Sequence, residues 1–377
     1  MKKNAFTLIE LLAVIVILAI IALIATPIIL GIIKDAKEQS TKNSAHNYLD
    51  TVEQAIIRKN LKEKFSPTRC EITGNELDCD GYDEKIKIEV DGDTSIKGII
   101  LFENNMITQG TNFILNDYIV KINEEDELTI KPIPAPKSFN EDSWETIIAN
   151  VRKGNIDVYK SNLENDENNT KQITLTSNDA EIAGTYTVRI ANTQIPDECS
   201  TEGFSQTACG FVIEFQDIIT EAPMNKSDPV NTNVGGYPAT SMHIFVNDEI
   251  YKSFPEDLKN IIINTTVISS PGSTSGETNF KTKDKVYLLS AEEVYGLKEN
   301  EISRDQTRQL DYYNEKEVTQ TNYSEAKKVY NGNRKGWWLR SADPLTTSNF
   351  YDVSLRGEWG RSNAGTLNGV APAFRIG

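Results

Sequence analysis

Hydrophobic and polar positions divide the chain into one long apolar segment and a series of shorter alternating ones. The long segment, Phe6–Ile33, is apolar except for Glu10 and a few small or weakly polar side chains. A bilayer core of about 30 Å is crossed by roughly 20 apolar residues in a helix, so this segment is long enough to span it. Because only a helix satisfies its own backbone in lipid, the pattern predicts a transmembrane helix.

Two lysines, Lys2 and Lys3, precede the apolar segment. Since positive charge is retained on the cytoplasmic side, they predict that everything after Ile33 lies outside the cell. A secretory signal would be shorter, would lack a carboxylate and would end in a small-residue cleavage site. This segment instead continues past Pro27 into an amphipathic stretch, so we expect it to be kept as an anchor or an assembly helix.

The residues after Pro27 continue the helical pattern, with polar side chains on one face. Apolar residues recur at helical spacing until the helix is expected to end at Ser66-Pro67. This stripe predicts that the outer half of one long helix packs against a sheet. Its members are Ala45, Tyr48, Leu49, Val52, Ala55, Ile56 and Leu61.

Alternating segments after the helix predict an antiparallel sheet. The stretch up to Gly81, which carries the first two cysteines, is expected to be a polar loop. The order of helix, loop and sheet predicts an α+β domain over residues 34–130, beyond the membrane segment 6–33. The strands, separated by turns that contain Asn, Gly and Asp, are predicted at Glu84–Val90, Ile96–Phe102, Phe113–Ile122 and Leu128–Ile130.

Prolines alternate along Lys131–Lys137. Proline interrupts helices and sheet ladders and favours an extended, semi-rigid chain, so residues 131–137 are predicted to be a linker. Beyond it, mixed helical and strand patterns predict a second α+β domain over residues 138–377. They include a helix at Ser143–Val151 and short strands at Thr185–Ile190, Val286–Leu289, Gly336–Ser341, Phe350–Leu355 and Val370–Ile376.

Glu10 is unusual for a plain membrane anchor, because an ionised carboxylate in lipid costs several kcal/mol unless a positive group reaches it. The short basic leader, the sequence Phe-Thr-Leu-Ile-Glu from Phe6 and the proline-interrupted apolar helix resemble the type IV prepilin signature. The resemblance implies that residues 1–5 are a leader, that a membrane peptidase cuts between Ala5 and Phe6, and that Phe6 is N-methylated. Glu10 then neutralises the Phe6 amine of a neighbouring subunit.

The family most often has glycine before the Phe, and Ala5 departs from this pattern while remaining small. Helix followed by sheet is also the plan of a pilin. The resemblance implies assembly through Glu10 and Pro27, with other pilin subunits, a prepilin peptidase and methylase, and the inner pilus assembly machinery as partners. It implies residence in the cytoplasmic membrane before assembly and on an extracellular pilus afterwards.

We favour a minor type IV pilin whose distal domain serves adhesion to a host or surface glycan or protein ligand. The reason is that this domain is much larger than filament packing needs. A pseudopilin of a type II secretion or DNA-uptake apparatus shares the same leader and helix. A membrane-anchored binding protein that never polymerises is the other alternative.

Several segments of the second domain resemble an uncharacterised bacterial surface domain, similar in pattern to C-type-lectin-like and formylglycine-generating-enzyme folds. The resemblance covers roughly Ser143–Gly377 and implies a lectin-like surface domain. The enzyme activity does not carry over, because no cysteine follows Cys209 to supply a redox pair. The segments are Gln216–Thr220, Asn231–Ala239, Pro255–Lys259, Val286–Ser290, Gly336–Ser341 and Gly369–Arg375.

Charge and cysteine content narrow the function classes. The formal net charge of −16 over 377 residues argues against a nucleic-acid partner, unless the chain is a pseudopilin of DNA uptake. The four cysteines form two close pairs, Cys70 with Cys79 and Cys199 with Cys209. Outside the cell these spacings predict two local disulfides. A metal site is the alternative, but no C-x-x-C spacing occurs and the two histidines flank neither pair.

Aromatic and basic residues near the end of the chain are the candidates for ligand binding. Strand alternation in Gly336–Ser341 places its two tryptophans on opposite faces, so one is expected in the core and the other half-exposed. Aromatic faces with convergent polar groups suit a glycan or peptide, although a purely structural role in the core is the alternative. The candidates are Trp338, Arg340, Arg356, Trp359 and Arg361.

We find no arrangement of residues typical of catalysis. Nucleophilic chemistry needs a histidine near Ser or Cys, and His243 is expected to stand alone on a buried alternating segment. The acidic stretch Glu164–Asn169 offers oxygen ligands for calcium but lacks EF-hand spacing, so a solvated loop is expected. The sequence therefore predicts no enzyme activity, no cofactor and no bound metal.

Overall fold

The computed structural model describes residues 8–90, 95–161, 168–296 and 305–377. The chain divides into two compact units, Met1–Pro132 and Ile133–Gly377. The predicted α+β class is confirmed, because a long N-terminal helix is followed by antiparallel sheets. The division falls between Pro132 and Ile133, and Pro132 itself ends a strand of the first unit.

The first unit begins with helix α1, Leu8–Lys62, which has 55 residues. At 1.5 Å per residue it is about 80 Å long. Its buried side chains begin only at Thr41 and recur at helical spacing as far as Ile56. Leu61, which the sequence pattern assigned to the same stripe, is 83% exposed because it lies beyond this last core residue of the helix.

The sheet of the first unit covers the outer part of α1. Its strands run in the order β3-β2-β1-β4-β6-β7-β8, with β5 paired to β4, and every pairing is antiparallel. The apolar faces of the sheet and of α1 form one shared core. The strands are β1 Arg69–Thr73, β2 Glu76–Cys79, β3 Ile86–Lys87, β4 Lys97–Glu103, β5 Met106–Ile107, β6 Asn112–Leu115, β7 Tyr118–Ile122 and β8 Leu128–Pro132.

Two expectations for this sheet were wrong. The stretch before Gly81 is a hairpin of β1 and β2 rather than a polar loop, because Cys70 stands opposite Cys79 and their disulfide joins the two strands. The predicted strand Glu84–Val90 is reduced to the two residues of β3. The chain turns where Tyr82 N donates to the Cys79 carbonyl at 3.2 Å. Beyond this turn only Glu76 and Leu77 of β2 pair with β3.

The second unit combines short helices with several sheets. The predicted helix at Ser143–Val151 is α2, whose first turn is capped by the Ser143 hydroxyl. The α-helices are α2 Trp144–Lys153, α3 Asp157–Lys160, α4 Ser241–Phe245, α5 Tyr251–Ser253, α6 Glu256–Lys259, α7 Ala291–Tyr295 and α8 Asp311–Glu315. A π-helical turn lies at Val246–Ile250, and 3₁₀ turns lie at Asp197–Ser200, Gln206–Ala208, Tyr237–Ala239 and Ser324–Ala326.

Two larger sheets form the centre of the second unit. One has the order β15-β22-β11-β10-β9 and the other β12-β21-β18-β19-β20, and two small hairpins are β13–β14 and β16–β17. The strands are β9 Thr170–Leu175, β10 Gly184–Asn192, β11 Val212–Phe215, β12 Thr220–Ala222, β13 Thr265–Ser269, β14 Phe280–Asp284, β15 Val286–Leu288, β16 Lys328–Tyr330, β17 Asn333–Lys335, β18 Trp337–Ala342, β19 Asn349–Val353, β20 Trp359–Asn363, β21 Asn368–Val370 and β22 Pro372–Arg375.

Apolar side chains of the second unit fall into two core clusters, and β18 contributes to both. Trp338 packs in one cluster, whereas Trp337 and Leu339 pack in the other. All six residues of β18 are buried. The strand β18, in the middle of the sheet β12-β21-β18-β19-β20, is therefore covered on both faces. The predicted ligand-binding residues on this strand, Trp338 and Arg340, are buried as a result.

Candidate functional site

The N-terminal half of α1 is an exposed apolar rod. Its most apolar 18-residue window has a mean hydropathy of 3.2 and is not buried against any described part of the chain. Of the helices in the described ranges, α1 is the one long and apolar enough to cross a membrane. A contiguous apolar surface of this size requires lipid or other helices around it. The exposed side chains are Leu8, Ile9, Leu11, Leu12, Val14, Ile15, Val16, Ile17, Leu18, Ile20, Ile21, Leu23, Ile24, Ile28, Ile29, Leu30, Ile32 and Ile33.

Two residues interrupt the uniformity of this rod. Glu10 lies in the first turn of α1, where the helix dipole favours a negative charge. Pro27 lies inside the helix and has no backbone N–H, so the carbonyl of Leu23 loses its helical donor. The neighbouring Thr26 hydroxyl donates to the carbonyl of Ala22 at 2.6 Å. The rod is thus weakened at Pro27 and charged near its beginning.

Two of the predicted ligand-binding residues, Trp338 and Arg340, have no exposed surface. The expectation that one tryptophan of this strand is half-exposed was wrong, since Trp337 is also fully buried. The indole N–H of Trp338 donates to the carbonyl of Ala222 at 2.8 Å. Alternation correctly separates the two tryptophans, but it does not report that both faces of β18 are covered.

Arg340 belongs to a buried ionic cluster rather than to a surface. Its guanidinium donates to both carboxylate oxygens of Glu293, at 2.6 and 2.7 Å. It also donates to the carbonyl of Leu288 at 3.0 Å and to the hydroxyl of Thr207 at 3.2 Å. Burial opposes the charge on Arg340, but the adjacent Glu293 outweighs this and raises the pKa of Arg340. The pair holds α7 against β18.

The remaining candidates form a smaller surface at the edge strand β20. The Arg361 guanidinium lies 5.4 Å from the ring centre of Trp359 and 5.6 Å from that of Tyr351. It is also 3.6 Å from a carboxylate oxygen of Asp343. Arg356 is exposed in the turn between β19 and β20. We call Trp359 and Arg361 the edge patch; Tyr351, on the neighbouring strand β19, is fully buried and is not part of it. The half-exposed indole of Trp359 and the exposed guanidinium of Arg361 are available to a ligand.

A second buried ionic cluster was not found by sequence reasoning. Glu214 of β11 accepts from Arg189 at 2.9 Å, from Lys328 at 2.9 Å and from the hydroxyl of Tyr313 at 3.0 Å. Burial opposes its charge, but the two cations outweigh that effect and hold the pKa of Glu214 below its ordinary value. These residues are far apart in sequence, so no local pattern marks them. Full satisfaction of each partner indicates a structural role.

The prediction that His243 lies on a buried alternating segment was wrong. His243 lies in the helix α4. The hydroxyl of Thr240 caps this helix and accepts from the backbone N–H of His243 at 3.1 Å. The His243 Nε2 is 2.9 Å from a carboxylate oxygen of Asp284. Within the described ranges, no group of three or more His, Cys, Asp or Glu residues is placed to hold a metal ion. Most of the acidic stretch Glu164–Asn169 lies outside those ranges.

Both predicted disulfides are present. Cys70 is bonded to Cys79 across the first hairpin, and Cys199 to Cys209 across a turn-rich loop that leads into β11. Each bond closes a short loop and restricts the unfolded chain. The predicted cleavage site lies outside the described residues, so processing between Ala5 and Phe6 stays a prediction.

An exposed apolar helix that continues into a helix-on-sheet unit is the plan of a pilin-like protein. Residues 1–26 match the family model described as a prokaryotic N-terminal methylation motif. Residues 214–377 match the model described as Domain of unknown function (DUF6273). No curated protein and no solved structure matches the chain.

The methylation motif supports a type IV pilin-like or pseudopilin-type protein. The methylation motif indicates other pilin subunits and a prepilin peptidase as partners. Together with the apolar helix, it indicates anchoring in the membrane before display on a surface filament. Nothing in the motif itself assigns a role to the second unit.

Proposed function

We propose that this chain is a minor type IV pilin that enters a filament through α1 and presents residues 138–377 as a binding head. The observation that carries the proposal is the joining of an exposed apolar assembly helix to a second compact unit, 133–377, that is longer than the whole first unit. A filament subunit needs only the helix and its sheet to pack with its neighbours. The additional unit is free to serve recognition.

Assembly is proposed to depend on Glu10, Pro27 and the amine of Phe6. In lipid, the Glu10 carboxylate of one subunit neutralises the Phe6 amine of the next, and this favours packing of the helices over isolated insertion. Prepilin peptidase cleaves after Ala5 and methylates Phe6 before this step. Pro27 allows the helix to bend locally, because proline cannot donate the backbone hydrogen bond that would stiffen that turn.

The test is the amount of the chain in sheared filaments from the cells that make it. Glu10→Ala is expected to reduce that amount strongly while leaving the protein in the membrane. Asp35→Ala, an exposed acidic residue on the same helix, is the matched control and is expected to have little effect. Immunogold labelling of the wild type is expected to mark pili at sparse or terminal positions.

The same assays separate the other candidates. A static membrane-anchored receptor keeps its function after Glu10→Ala, and its label stays on the membrane in cells that bear pili. A pseudopilin gives label at the cell envelope without surface filaments, and loss of the chain impairs secretion or DNA uptake. Either result would replace the minor-pilin assignment.

For the second unit we propose weak recognition of a glycan or peptide by the edge patch, on a C-type-lectin-like fold and without enzyme activity. What supports this is the placement of the exposed Arg361 guanidinium over the half-exposed ring of Trp359, both on the edge strand β20. Stacked aromatic and guanidinium groups bind planar or hydroxyl-bearing ligands through a few contacts. Many copies displayed over the pili of one cell raise the effective concentration of such a site and compensate for low affinity.

A further inference from the structure

A groove of about 610 Å³ lies in the first unit, between the last turns of α1 and the edge strand β3. Basic side chains dominate its charge. Arg58, Lys62 and Lys87 are exposed, and in the described part of the chain none of them has an ion pair. Lys59 is already paired with Glu63 at 2.8 Å, and Glu89 is the remaining acid in the lining. The groove is therefore a basic surface on a chain whose net charge is −16.

An acidic turn lies at the opposite end of the same sheet. Glu124, Glu125, Asp126 and Glu127 follow one another between β7 and β8, and all four are exposed. Across the described ranges none of these carboxylates takes part in an ion pair. The turn has a fixed shape, because the side-chain oxygen of Asn123 accepts from the backbone N–H groups of Glu125 and Glu127 at 3.0 and 2.8 Å.

The two surfaces cannot satisfy each other within one sheet, since β3 is the first strand in the sheet order and β8 the last. A surface on one edge and its complement on the other edge define a head-to-tail contact between copies. Such a contact does not close on itself and generates an open chain of subunits when its rotation does not form a ring. This geometry lets two or more copies lie side by side at one sparse or terminal position of a filament.

We propose that the acidic turn Glu124–Glu127 of one copy of this chain docks into the basic groove of a second copy, against Arg58, Lys62 and Lys87. This inference rests on the proposed function, since it supplies a side-to-side contact for the assembly that α1 anchors. Exposed charge pairs are individually weak and are screened by salt. Their role is to set which edges meet and in which orientation, while the apolar helices supply the main association.

The test uses two differently tagged full-length copies expressed in the same cells. One copy carries Lys62→Cys and the other Glu125→Cys, and the four native cysteines are already bonded in pairs. Mild oxidation is expected to give a cross-linked dimer that carries both tags in sheared filaments. Lys97→Cys in place of Lys62→Cys is the matched control, because Lys97 is exposed at the start of β4, away from the groove.

Charge reversal then tests the electrostatic pairing. The charge of the groove is reversed in every copy with Lys62→Glu and Lys87→Glu. This change is expected to reduce co-purification of the two differently tagged copies several-fold. Reversing the turn as well, with Glu124→Lys and Glu125→Lys, is expected to restore co-purification to near the wild-type amount. Peptide mapping of the Cys70–Cys79 disulfide verifies that each variant has folded.

Equal cross-linking of the groove and control positions would overturn this contact. It would also be overturned if the variant with all four charge reversals did not regain co-purification of the two tags. If filaments contain both cysteine-bearing copies but give no cross-linked dimer, the contact is wrong while filament assembly through α1 stands. Loss of the chain from filaments in Glu10→Ala is scored separately and does not depend on the charges of the groove.

Discussion

Arg340 and Glu293 form a two-pronged ion pair in which neither side chain has exposed surface, with nitrogen–oxygen distances of 2.6 and 2.7 Å. Glu293 is also the third residue of α7, where it accepts from the backbone N–H of Ser290 while the Ser290 hydroxyl accepts from its own. One carboxylate thus caps a helix and anchors the central strand β18. This makes it a structural centre of the second unit.

Arg340→Met is expected to destabilise the second unit by about 3–5 kcal/mol, because it leaves the Glu293 carboxylate buried without its partner. The measurement is chemical denaturation of the full chain in detergent, with unfolding monitored by tryptophan fluorescence. Trp144, Trp337, Trp338 and Trp359 are the four tryptophans of the chain, and all lie in the second unit. The double variant with Glu293→Met is expected to lose less than the sum of the single losses; a simple sum would show that the two residues act independently.

The sequence predicted the elements that depend on local pattern and missed the partners that do not. The apolar rod, the buried stripe from Ala45 to Ile56 and the helix predicted at Ser143–Val151 all follow from spacing along the chain. Arg340 was assigned to a surface because its pairing with Glu293 joins positions 47 residues apart. Glu214, whose partners come from three distant elements, was missed for the same reason.

Glu292, which precedes Glu293 in α7, is expected to make the second unit less stable as the pH rises. Burial, reinforced by Asp305, raises its pKa to about 8, whereas in an unfolded chain it is about 4.3. Between these values the folded state keeps a proton that the unfolded state has lost, so the free energy of unfolding falls as the pH increases.

Glu292→Gln is therefore expected to be more stable than the wild type, with a difference that grows from pH 5 to pH 8. The same fluorescence denaturation at pH 5, 6.5 and 8 measures it. Glu249→Gln, at an exposed position, is the control and should show no such trend. A constant difference across the range would mean that Glu292 does not hold its proton in the folded protein.

Removal of the second disulfide, by Cys199→Ala with Cys209→Ala, is expected to lower the free energy of unfolding seen by tryptophan fluorescence by about 2–3 kcal/mol. Removal of the first, by Cys70→Ala with Cys79→Ala, is expected to leave that transition unchanged, because the core around Cys70 shares no residue with the cores of the second unit. Equal effects of the two removals would contradict a domain boundary at the proline-rich segment.

Processing is expected to give a mature protein that begins at Phe6 with a methylated amine, although Ala5 replaces the glycine most common in the family. The methylation motif covers this site. Mass spectrometry of the amino-terminal peptide from filament material measures both the new terminus and the added methyl group. Assembled protein that still begins with Met1 would contradict cleavage.

Ligand binding, if the proposed head is correct, is expected to depend on the edge patch and not on Trp338 or Arg340, which lie in the core. The full chain in detergent is tested on glycan and matrix-protein arrays, and binders are then compared with variants. Arg361→Ala and Trp359→Ala each remove one side chain that is expected to contact the ligand; a ligand contact worth about 1 kcal/mol corresponds to a roughly fivefold loss of affinity. Arg334→Ala, an exposed arginine on β17, is the charge-matched control and should bind normally.

Tryptophan fluorescence of Arg361→Ala establishes that the fold is kept, so a loss of binding in that variant is a local effect. The fully buried side chains explain why this test must use the edge strand: replacing Trp338 would open a cavity in one core and lower stability by about 3–5 kcal/mol, whatever the ligand. If a ligand binds and both edge-patch variants retain it while folded, the patch is structural and the ligand lies elsewhere. If the arrays show no binding at all, the second unit is a spacer, and the adhesive part of the proposal is wrong while assembly through α1 is unaffected.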